Sequence, residues 1–323
     1  MFRIWFERAL SPQYVPLLDG VAVALGPASA TPDTPLIALP DAQAIIASAR
    51  IRYDGALMDQ APGLRVISRT GIGVDNISIP DATARRIAVC NAPDGPTISA
   101  AEHAVTLMLA VAKQIKRIEG LLRRGGTRDY FNEHHGLEVH GLRLGLIGVG
   151  RIGGHVATIG RALGMTVMAY DPYVSADRGM ELGIDLAPTL EEVLRAADVV
   201  SLHLPLTAET RRLIDAERLA RMKPGAILIN TARGGLVDET ALLDALERGH
   251  LRGAGLDVFD PEPPPPDHPL LHRDDVVATP HIAGVTGASK DRIWRTAITQ
   301  ALQVLRGERP PHLVNPEVWP SSG

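Results

Sequence analysis

The feature that most constrains this chain is a buried strand that turns through three glycines into a helix. It occupies residues 144–153, LGLIGVGRIG. Gly148 suits a tight turn, Gly150 lets the backbone approach a pyrophosphate, and Gly153 permits close packing of helix on strand. The helix that begins near Arg151 directs its first N–H groups and the positive end of its dipole at the phosphates. The segment therefore predicts a dinucleotide-binding turn in an α/β fold.

Asp171 indicates which dinucleotide is bound. It ends a second apolar strand, Thr166–Tyr170, which follows a helix predicted from Ile152 to Leu163. A carboxylate at this place accepts hydrogen bonds from the ribose 2′-hydroxyl of NAD and repels the 2′-phosphate of NADP. None of the next three residues is an arginine, so the pattern favours NAD. The alternative is that Asp171 is only a turn residue before a proline.

The composition is typical of a globular protein and excludes two classes of partner. The chain has 323 residues, 45% of them hydrophobic, which is enough for two domains with separate cores. Its net charge of −4 is evenly spread, so no nucleic-acid partner is expected. The longest apolar run, 104–112, is far shorter than the roughly 20 residues of a membrane span, so no membrane contact is expected. The N-terminus lacks a signal-peptide pattern and Cys90 is the single cysteine, so we expect a cytoplasmic location.

Short apolar strands alternate with helical segments in the first part of the chain, which implies a parallel sheet. The predicted strands are Ile4–Phe6, Val21–Leu25, Ala44–Ala47, Val66–Ser68 and Ile87–Asn91. Ser99 and Glu102 form a capping-box pattern, which predicts that a long helix starts there and reaches about Gly120.

Six further strands alternate with helices in the second part, as a doubly wound dinucleotide fold requires. They are Leu144–Ile147, Thr166–Tyr170, Val199–Leu202, Ala226–Asn230, Gly253–Val258 and Val276–Ala278. The proline-rich segment 261–269 predicts an extended loop. Residues 288–305 predict an amphipathic helix.

Three polar blocks follow strands of the second part. They are residues 230–235 (NTARGG), 257–263 (DVFDPEP) and 279–284 (TPHIAG). Ligands of doubly wound sheets bind at the ends of strands. Arg233, Glu262 and His281 supply a fixed cation, a carboxylate and a group that titrates near neutrality, which suits reduction of a 2-keto acid.

On these blocks the chain resembles the D-isomer-specific 2-hydroxyacid dehydrogenase family over nearly its whole length. The other shared motifs are residues 69–76 (RTGIGVDN), 99–103 (SAAEH), 201–207 (SLHLPLT) and 231–238 (TARGGLVD). The resemblance implies NAD-dependent interconversion of a small 2-keto acid and the D-2-hydroxy acid. It also implies an α/β fold with a doubly wound parallel-sheet (Rossmann) NAD domain at 99–286. A smaller flavodoxin-like substrate domain, discontinuous at 1–98 and 287–323, completes this expectation.

The resemblance assigns catalytic roles by position. It makes His281 the acid that protonates the substrate carbonyl during hydride transfer, and Glu262 the partner whose carboxylate favours the imidazolium form. It has Arg233 bind the substrate carboxylate and carbonyl oxygen through charge-assisted hydrogen bonds. Backbone amides at Ile72 and Gly73 hold the substrate carboxylate, because glycines there let the main chain come close.

Cofactor contacts follow from the same resemblance. It places the pyrophosphate at Arg151 and Ile152 and the adenosine ribose at Asp171. The nicotinamide amide is placed near Thr231, Ala232 and Asp257. Thr97 and His203 either line the same cleft or are a structural turn residue and a strand-end histidine.

Other polar residues receive structural interpretations. His103 lies on an apolar helix face and is expected to be a core histidine. A histidine-rich segment lacks the spacing of metal ligands, and we predict no metal. That segment comprises Glu133, His134, His135 and His140. The resemblance further implies a homodimer in which the segment with Tyr130 and Phe131 reaches across the interface.

The predicted substrate rests on an early loop. Relatives that act on phosphoglycerate carry a basic residue where this chain has Ser48, although Arg50 and Arg52 lie close to it in sequence. A small unphosphorylated acid, hydroxypyruvate or glyoxylate, is therefore our first prediction.

Two other functions stay open. One is an NAD(H)-sensing scaffold like the C-terminal binding protein corepressors, with weak or no turnover. The other is S-adenosylhomocysteine hydrolase-like chemistry, whose extra length and lysine context are not visible in this chain.

Overall fold

The computed structural model describes residues 1–26, 38–126 and 129–320, apart from the side chain of Tyr130. Contacts divide the chain into two compact units. Unit 1 comprises Met1–Pro96 and Thr286–Gly323, and unit 2 comprises Thr97–Val285. Within the described ranges, no helix has both the length and the apolar character that a membrane span needs.

Unit 1 is a five-stranded parallel sheet flanked by helices. Its strands are β1 (Phe2–Phe6), β2 (Ala22–Leu25), β3 (Ala44–Ala47), β4 (Val66–Arg69) and β5 (Ala88–Cys90), in the order β2-β1-β3-β4-β5. Its helices are α1 (Gly55–Met58), α2 (Ile79–Ala84) and the long α11 (Gly287–Arg306), with short 3₁₀ turns at Pro12–Leu17, Leu39–Asp41 and Pro316–Val318. Every residue of β3 is buried, as expected for a central strand that is covered on both faces. The strand order is that of flavodoxin-like sheets.

Unit 2 is a seven-stranded parallel sheet. Its strands are β6 (Arg143–Ile147), β7 (Thr166–Tyr170), β8 (Asp185–Leu186), β9 (Val199–Leu202), β10 (Ala226–Asn230), β11 (Leu251–Leu256) and β12 (Val276–Ala278). Its helices are α3 (Thr97–Ala112), α4 (Ile115–Arg123), α5 (Tyr130–Glu133), α6 (Arg151–Ala162), α7 (Ala176–Leu182), α8 (Leu190–Ala196), α9 (Ala216–Arg221) and α10 (Glu239–Glu247), with 3₁₀ turns at Gly234–Leu236 and Pro269–His272.

The strand order of unit 2 is β12-β11-β10-β9-β6-β7-β8, so the direction of winding reverses between β6 and β9. Along β10, Ile227 and Ile229 pack into one apolar cluster and Leu228 into another, so helices cover both faces of the sheet. This is the doubly wound Rossmann arrangement. The predicted fold class is confirmed for both units.

Two predictions about elements were wrong. The helix predicted from Ser99 to about Gly120 begins at Thr97, so Ser99 is a buried residue inside the first turns and not a cap. That helix ends at Ala112, and α4 starts separately because Gln114 adopts a left-handed conformation (φ 54°) that a right-handed helix cannot contain. The two-residue strand β8 was also not predicted.

Candidate active site

The predicted site residues of unit 2 follow the ends of its strands. Because the strands are parallel, their carboxyl ends share one edge of the sheet, and ligands of doubly wound sheets bind along that edge. The residues at successive strand ends are Gly148 after β6, Asp171 after β7, His203 after β9, Thr231 after β10, Asp257 after β11 and His281 beyond β12.

The glycine turn lies at the point where the sheet reverses direction. Gly148 has φ 92°, and a Cβ there would lie 2.5 Å from the carbonyl oxygen of His203. A Cβ at Gly153 would lie 2.3 Å from the carbonyl oxygen of Gly148, whereas one at Gly150 would meet no atom within 4 Å. Gly148 and Gly153 are therefore fixed by protein contacts, and Gly150 leaves open space at the start of α6. Open space in front of a helix N-terminus fits a pyrophosphate, so these residues fit a dinucleotide.

Asp171 braces the turn from the neighbouring strand. Its Oδ2 accepts a hydrogen bond from the Val149 N–H (2.8 Å) and its Oδ1 accepts one from the Tyr173 N–H (2.9 Å). The second contact is the local turn bond that the alternative interpretation requires. Each carboxylate oxygen has a second lone pair, so the same side chain can also accept a ribose hydroxyl.

His203 has a protein partner. Its Nε2 lies 2.8 Å from the Oγ of the buried Ser201. Burial lowers the pKa of His203 to about 4, so the imidazole is neutral near neutrality. A neutral ring beside the glycine turn adds no charge to the nucleotide edge, and its predicted contact with the cofactor stays a prediction.

Arg233 lies on a turn that Asn230 stabilises. The buried Asn230 accepts the Ala232 N–H (3.0 Å) through Oδ1 and donates from Nδ2 to the Arg233 carbonyl (2.8 Å). The guanidinium Nη1 donates to the Ala232 carbonyl (2.7 Å). This turn fixes the backbone of Thr231, Ala232 and Arg233 at the end of β10.

His281 and Glu262 form a hydrogen-bonded pair. His281 Nδ1 and Glu262 Oε2 are 2.9 Å apart, and the two side chains are 46% and 37% exposed. His281 has φ 56°, a left-handed conformation that is uncommon for residues other than glycine and is often found at functional sites. The pair occupies Nδ1 of the ring with a carboxylate partner, so the other ring nitrogen, Nε2, is the one that can contact a ligand.

The buried Asp257 holds the backbone around His281. Its Oδ1 accepts from the Ile282 N–H (2.9 Å) and its Oδ2 from the Ala283 N–H (2.7 Å), while its own carbonyl accepts the His281 N–H (2.7 Å). Asp257 is fully buried, so its carboxylate depends on these donors.

Thr279 and His103, which the sequence did not assign to the site, also contact the carboxylate of Asp257. Thr279 Oγ1 donates to Asp257 Oδ1 (2.5 Å), and His103 Nε2 lies 2.9 Å from Thr279 Oγ1 and 3.5 Å from Asp257 Oδ1. Burial raises the pKa of Asp257, but the hydrogen bonds from His103, Thr279 and the two backbone N–H groups outweigh it and lower the pKa overall. Asp257 is therefore a carboxylate at neutral pH. The only sequence signals were that Thr279 lies two residues before His281 and that His103 lies in a motif.

The remaining predicted residues lie elsewhere. Thr97 is the buried first residue of α3. Ile72 and Gly73 belong to unit 1, in the turn after β4, where Asn91 Nδ2 donates to the Ile72 carbonyl (2.8 Å). Their roles stay predictions.

The histidine-rich segment shows no metal site in the part of the chain that the structure describes. Groups of three or more histidine, cysteine or acidic side chains arranged to hold a metal ion are absent from residues 1–26, 38–126 and 129–320. Glu133, His135 and His140 are exposed and His134 is partly buried.

With this geometry established, comparison with known proteins identifies the family. Residues 105–283, more than half of the chain, match the model of the D-isomer specific 2-hydroxyacid dehydrogenase, NAD binding domain. The chain belongs to the D-isomer specific 2-hydroxyacid dehydrogenase family. The matched residues lie within unit 2, so the glycine turn and Asp171 are part of an NAD-binding domain and the predicted cofactor, NAD, is confirmed.

Three similar proteins illustrate the likeness. The D-3-phosphoglycerate dehydrogenase of Mycobacterium bovis is 44% identical over 283 residues, which are 88% of this chain and 53% of the relative. The glyoxylate reductase of Korarchaeum cryptofilum is 40% identical over 280 residues, 86% of this chain and 84% of the relative. The crystal structure of the TT0316 protein of Thermus thermophilus has a TM-score of 0.89 and 39% identity, covering 97% of this chain and 100% of that one. This chain spans about half the length of the curated phosphoglycerate dehydrogenases it matches.

Proposed function

We propose that this protein is an NAD-dependent oxidoreductase that interconverts a small 2-keto acid and the corresponding D-2-hydroxy acid. The observation that carries the proposal is the His281–Glu262 pair, 2.9 Å apart, on the same strand edge as the dinucleotide turn. NAD, when bound, supplies the hydride acceptor for oxidation or, as NADH, the hydride donor for reduction. Family membership supports the reaction class.

The proposed roles follow from the contacts of each side chain. With a proton on Nδ1 donated to Glu262, His281 uses Nε2 to give a proton to the substrate carbonyl oxygen or to take it back. Glu262 keeps the ring oriented through this hydrogen bond. Arg233 binds the substrate carboxylate and polarises the carbonyl through charge-assisted hydrogen bonds. Asp257 keeps the backbone of His281 in place.

The test measures the loss of NADH absorbance when the wild type and its variants are mixed with a panel of 2-keto acids. The panel comprises glyoxylate, hydroxypyruvate, pyruvate, phenylpyruvate and 3-phosphohydroxypyruvate. The variant is His281→Asn, because asparagine tolerates the left-handed backbone of this position. We expect kcat/KM to fall by roughly 100-fold to 10,000-fold, as for loss of a general acid, with NADH affinity unchanged. His135→Asn, an exposed histidine, is the matched control. Full activity of His281→Asn would exclude the mechanism. If the wild type binds NADH tightly but turns over none of the acids, the result would favour an NAD(H)-sensing scaffold.

Among substrates we propose hydroxypyruvate or glyoxylate first. Ser48 begins the loop after β3, and its N–H and hydroxyl both donate to the buried carboxylate of Glu7. A negative charge therefore lies next to this loop, which disfavours a phosphorylated substrate. A phosphorylated keto acid is the second candidate, because two arginines close to one another suit a phosphate group. Arg8 and Arg50 lie close enough to repel one another. Burial and then the charge of Arg50 lower the pKa of Arg8. A kcat/KM for 3-phosphohydroxypyruvate above that for hydroxypyruvate would reverse this order.

We also propose that the protein is a homodimer that uses α4. No residue of α4 is buried, and Ile115 and Leu122 are 55% and 65% exposed. Phe131, in the adjacent α5, is 95% exposed. An apolar surface of this kind marks a protein interface. Whether Tyr130 takes part lies outside the described residues.

We further propose that unit 2 binds the cofactor and unit 1 the substrate, which corresponds to the sequence-based division at residues 98 and 287. The match of 105–283 to an NAD-binding domain supports the first assignment. A cytoplasmic location is proposed on the single, buried cysteine, which suits a reducing compartment.

A further inference from the structure

The loop that carries Glu262 has little structure of its own. We define the Glu262 loop as residues 260–268, between β11 and the 3₁₀ turn that precedes β12. None of its side chains is buried, and all but two of its residues are exposed. An exposed segment with few core contacts is held mainly by its anchors. The distance of 2.9 Å between Glu262 and His281 therefore depends on what fixes this loop.

One carboxylate contacts both ends of the loop. Glu239 Oε1 accepts the backbone N–H of Asp260 (2.9 Å), and Glu239 Oε2 lies 3.0 Å from His268 Nε2. The Glu239 and His268 side chains are only 14% and 16% exposed, so water competes little for this pair. The single Glu239 side chain thus ties together residues 260 and 268.

The contacts of His268 point to the same anchor. Its Nδ1 is buried, and within the described ranges it has no hydrogen-bond partner, so Glu239 is the side-chain partner of the ring. The ring also packs edge-on against Phe259, with centroids 5.7 Å apart. Phe259 in turn lies so close to Gly234 that a Cβ there would be 2.1 Å from the Phe259 carbonyl carbon. This packing joins the Glu262 loop to the turn that carries Arg233.

Neither the helix dipole nor a surface ion pair accounts for this arrangement. Glu239 is the first residue of α10, where an acidic side chain suits the helix dipole, but a dipole effect does not require burial, and burial raises the pKa of Glu239. Arg211 pairs with Asp260 at 2.8 Å, but these side chains are 54% and 47% exposed, and exposed ion pairs contribute little.

We propose that Glu239 is a positioning residue that fixes both ends of the Glu262 loop and thereby holds Glu262 against His281. It does not touch the reacting atoms. Its effect on turnover rests on the proposed function, whereas its effect on the loop does not. The experiment therefore has one arm without turnover and one arm with it.

The first arm is amide hydrogen exchange of the peptide spanning 257–270 in the free protein. In Glu239→Ala the Asp260 amide loses its acceptor, and we expect the peptide to exchange at least about tenfold faster. Glu239→Gln keeps an acceptor for that amide and is expected to restore most of the protection. Glu247→Ala, an exposed glutamate on the same helix, is the matched control. Unchanged exchange in Glu239→Ala, or a rise spread over all of unit 2, would overturn the proposal.

The second arm is a double-mutant cycle on kcat/KM with Glu262→Gln. If Glu239 acts through Glu262, the Glu239→Ala substitution lowers kcat/KM in the wild-type background and has no further effect in Glu262→Gln. Multiplicative losses would show that Glu239 acts by another route. If the wild-type protein turns over no keto acid, the proposed function fails. The exchange measurement still decides whether Glu239 fixes the Glu262 loop.

Discussion

Asp171 places a negative charge at the end of β7, where the adenosine ribose is predicted to bind. Its two oxygens also accept the Val149 and Tyr173 N–H groups, so Asp171→Ala would disturb the glycine turn as well as the charge. Asp171→Asn keeps the shape and one acceptor while it removes the charge that repels a 2′-phosphate. We expect the ratio of kcat/KM for NADPH to that for NADH to rise by about tenfold or more, the size of a charged hydrogen bond.

The ratio of the two cofactors separates specificity from damage, because a misfolded turn lowers both activities alike. Asp177→Asn removes an exposed carboxylate on α7 and serves as the control for net charge. An unchanged ratio in Asp171→Asn would leave Asp171 as a turn residue only.

Some residue-level contacts could be predicted from the sequence and others could not. His281 and Glu262 each follow a predicted strand of one parallel sheet, so their placement at one edge follows from strand order. The contact between His103 and Thr279 joins residues 176 positions apart and has no local signal. The sequence predicts a core histidine at position 103, and the structure gives it a polar partner next to Asp257. The contact of Glu239 with His268 also joins different elements and has no local signal in the sequence.

At the level of elements, α6 contains adjacent glycines with opposite requirements. A Cβ on Gly153 would lie 2.3 Å from a backbone oxygen of Gly148, whereas one on Gly154 would meet only Leu182 methyl carbons at 3.7 and 3.8 Å. We expect Gly153→Ala to lower the free energy of unfolding by about 1–3 kcal/mol, because backbone must move, and to abolish tight NADH binding. Gly154→Ala is expected to raise the free energy of unfolding by up to about 1 kcal/mol through helix propensity.

Denaturant unfolding of the two variants beside the wild type measures both signs, with NADH titration as the second measurement. The pair is its own control, since each variant adds one methyl group to the same helix. Equal effects of the two substitutions would mean that helix propensity, and not the approach to Gly148, decides stability here.

Element boundaries were predictable where apolar pattern and a stop residue coincide. The helix predicted as Ile152–Leu163 is observed at Arg151–Ala162, followed by Gly164 with φ 79°. The break between α3 and α4 has no such signal, because Gln114 is neither glycine nor proline and adopts its left-handed conformation in this tertiary context. Strand β8 has only two residues, too few for a periodic pattern.

For the whole molecule, alternation of strands and helices was enough to predict two parallel sheets, because parallel strands need crossover connections that are usually helical. It did not give the order of strands within either sheet. The strands of unit 2 are all parallel, so the glycine turn and the catalytic blocks share one edge although Gly148 and His281 are more than 100 residues apart, and the reversal next to β6 lies at the glycine turn. Buried side chains on both faces fix that order, and they act between segments that are distant in sequence.

The assembly of the molecule can be tested on α4. Ile115, Ile118 and Leu122 have the spacing of one helix face, and Leu122 is 65% exposed. If this face packs against a second copy, Leu122→Glu buries an unpaired charge at the interface and shifts the protein toward monomer. The folded monomer tolerates the change, because substitutions at exposed positions usually alter stability by less than about 0.5 kcal/mol. Met180→Glu, at a residue on α7 that is 72% exposed, is the matched control. Sedimentation velocity over a range of concentrations should show a dimer for the wild type and Met180→Glu and a monomer for Leu122→Glu. A monomeric wild type would exclude the homodimer, and a Leu122→Glu dimer as tight as the wild type would place the interface on another surface.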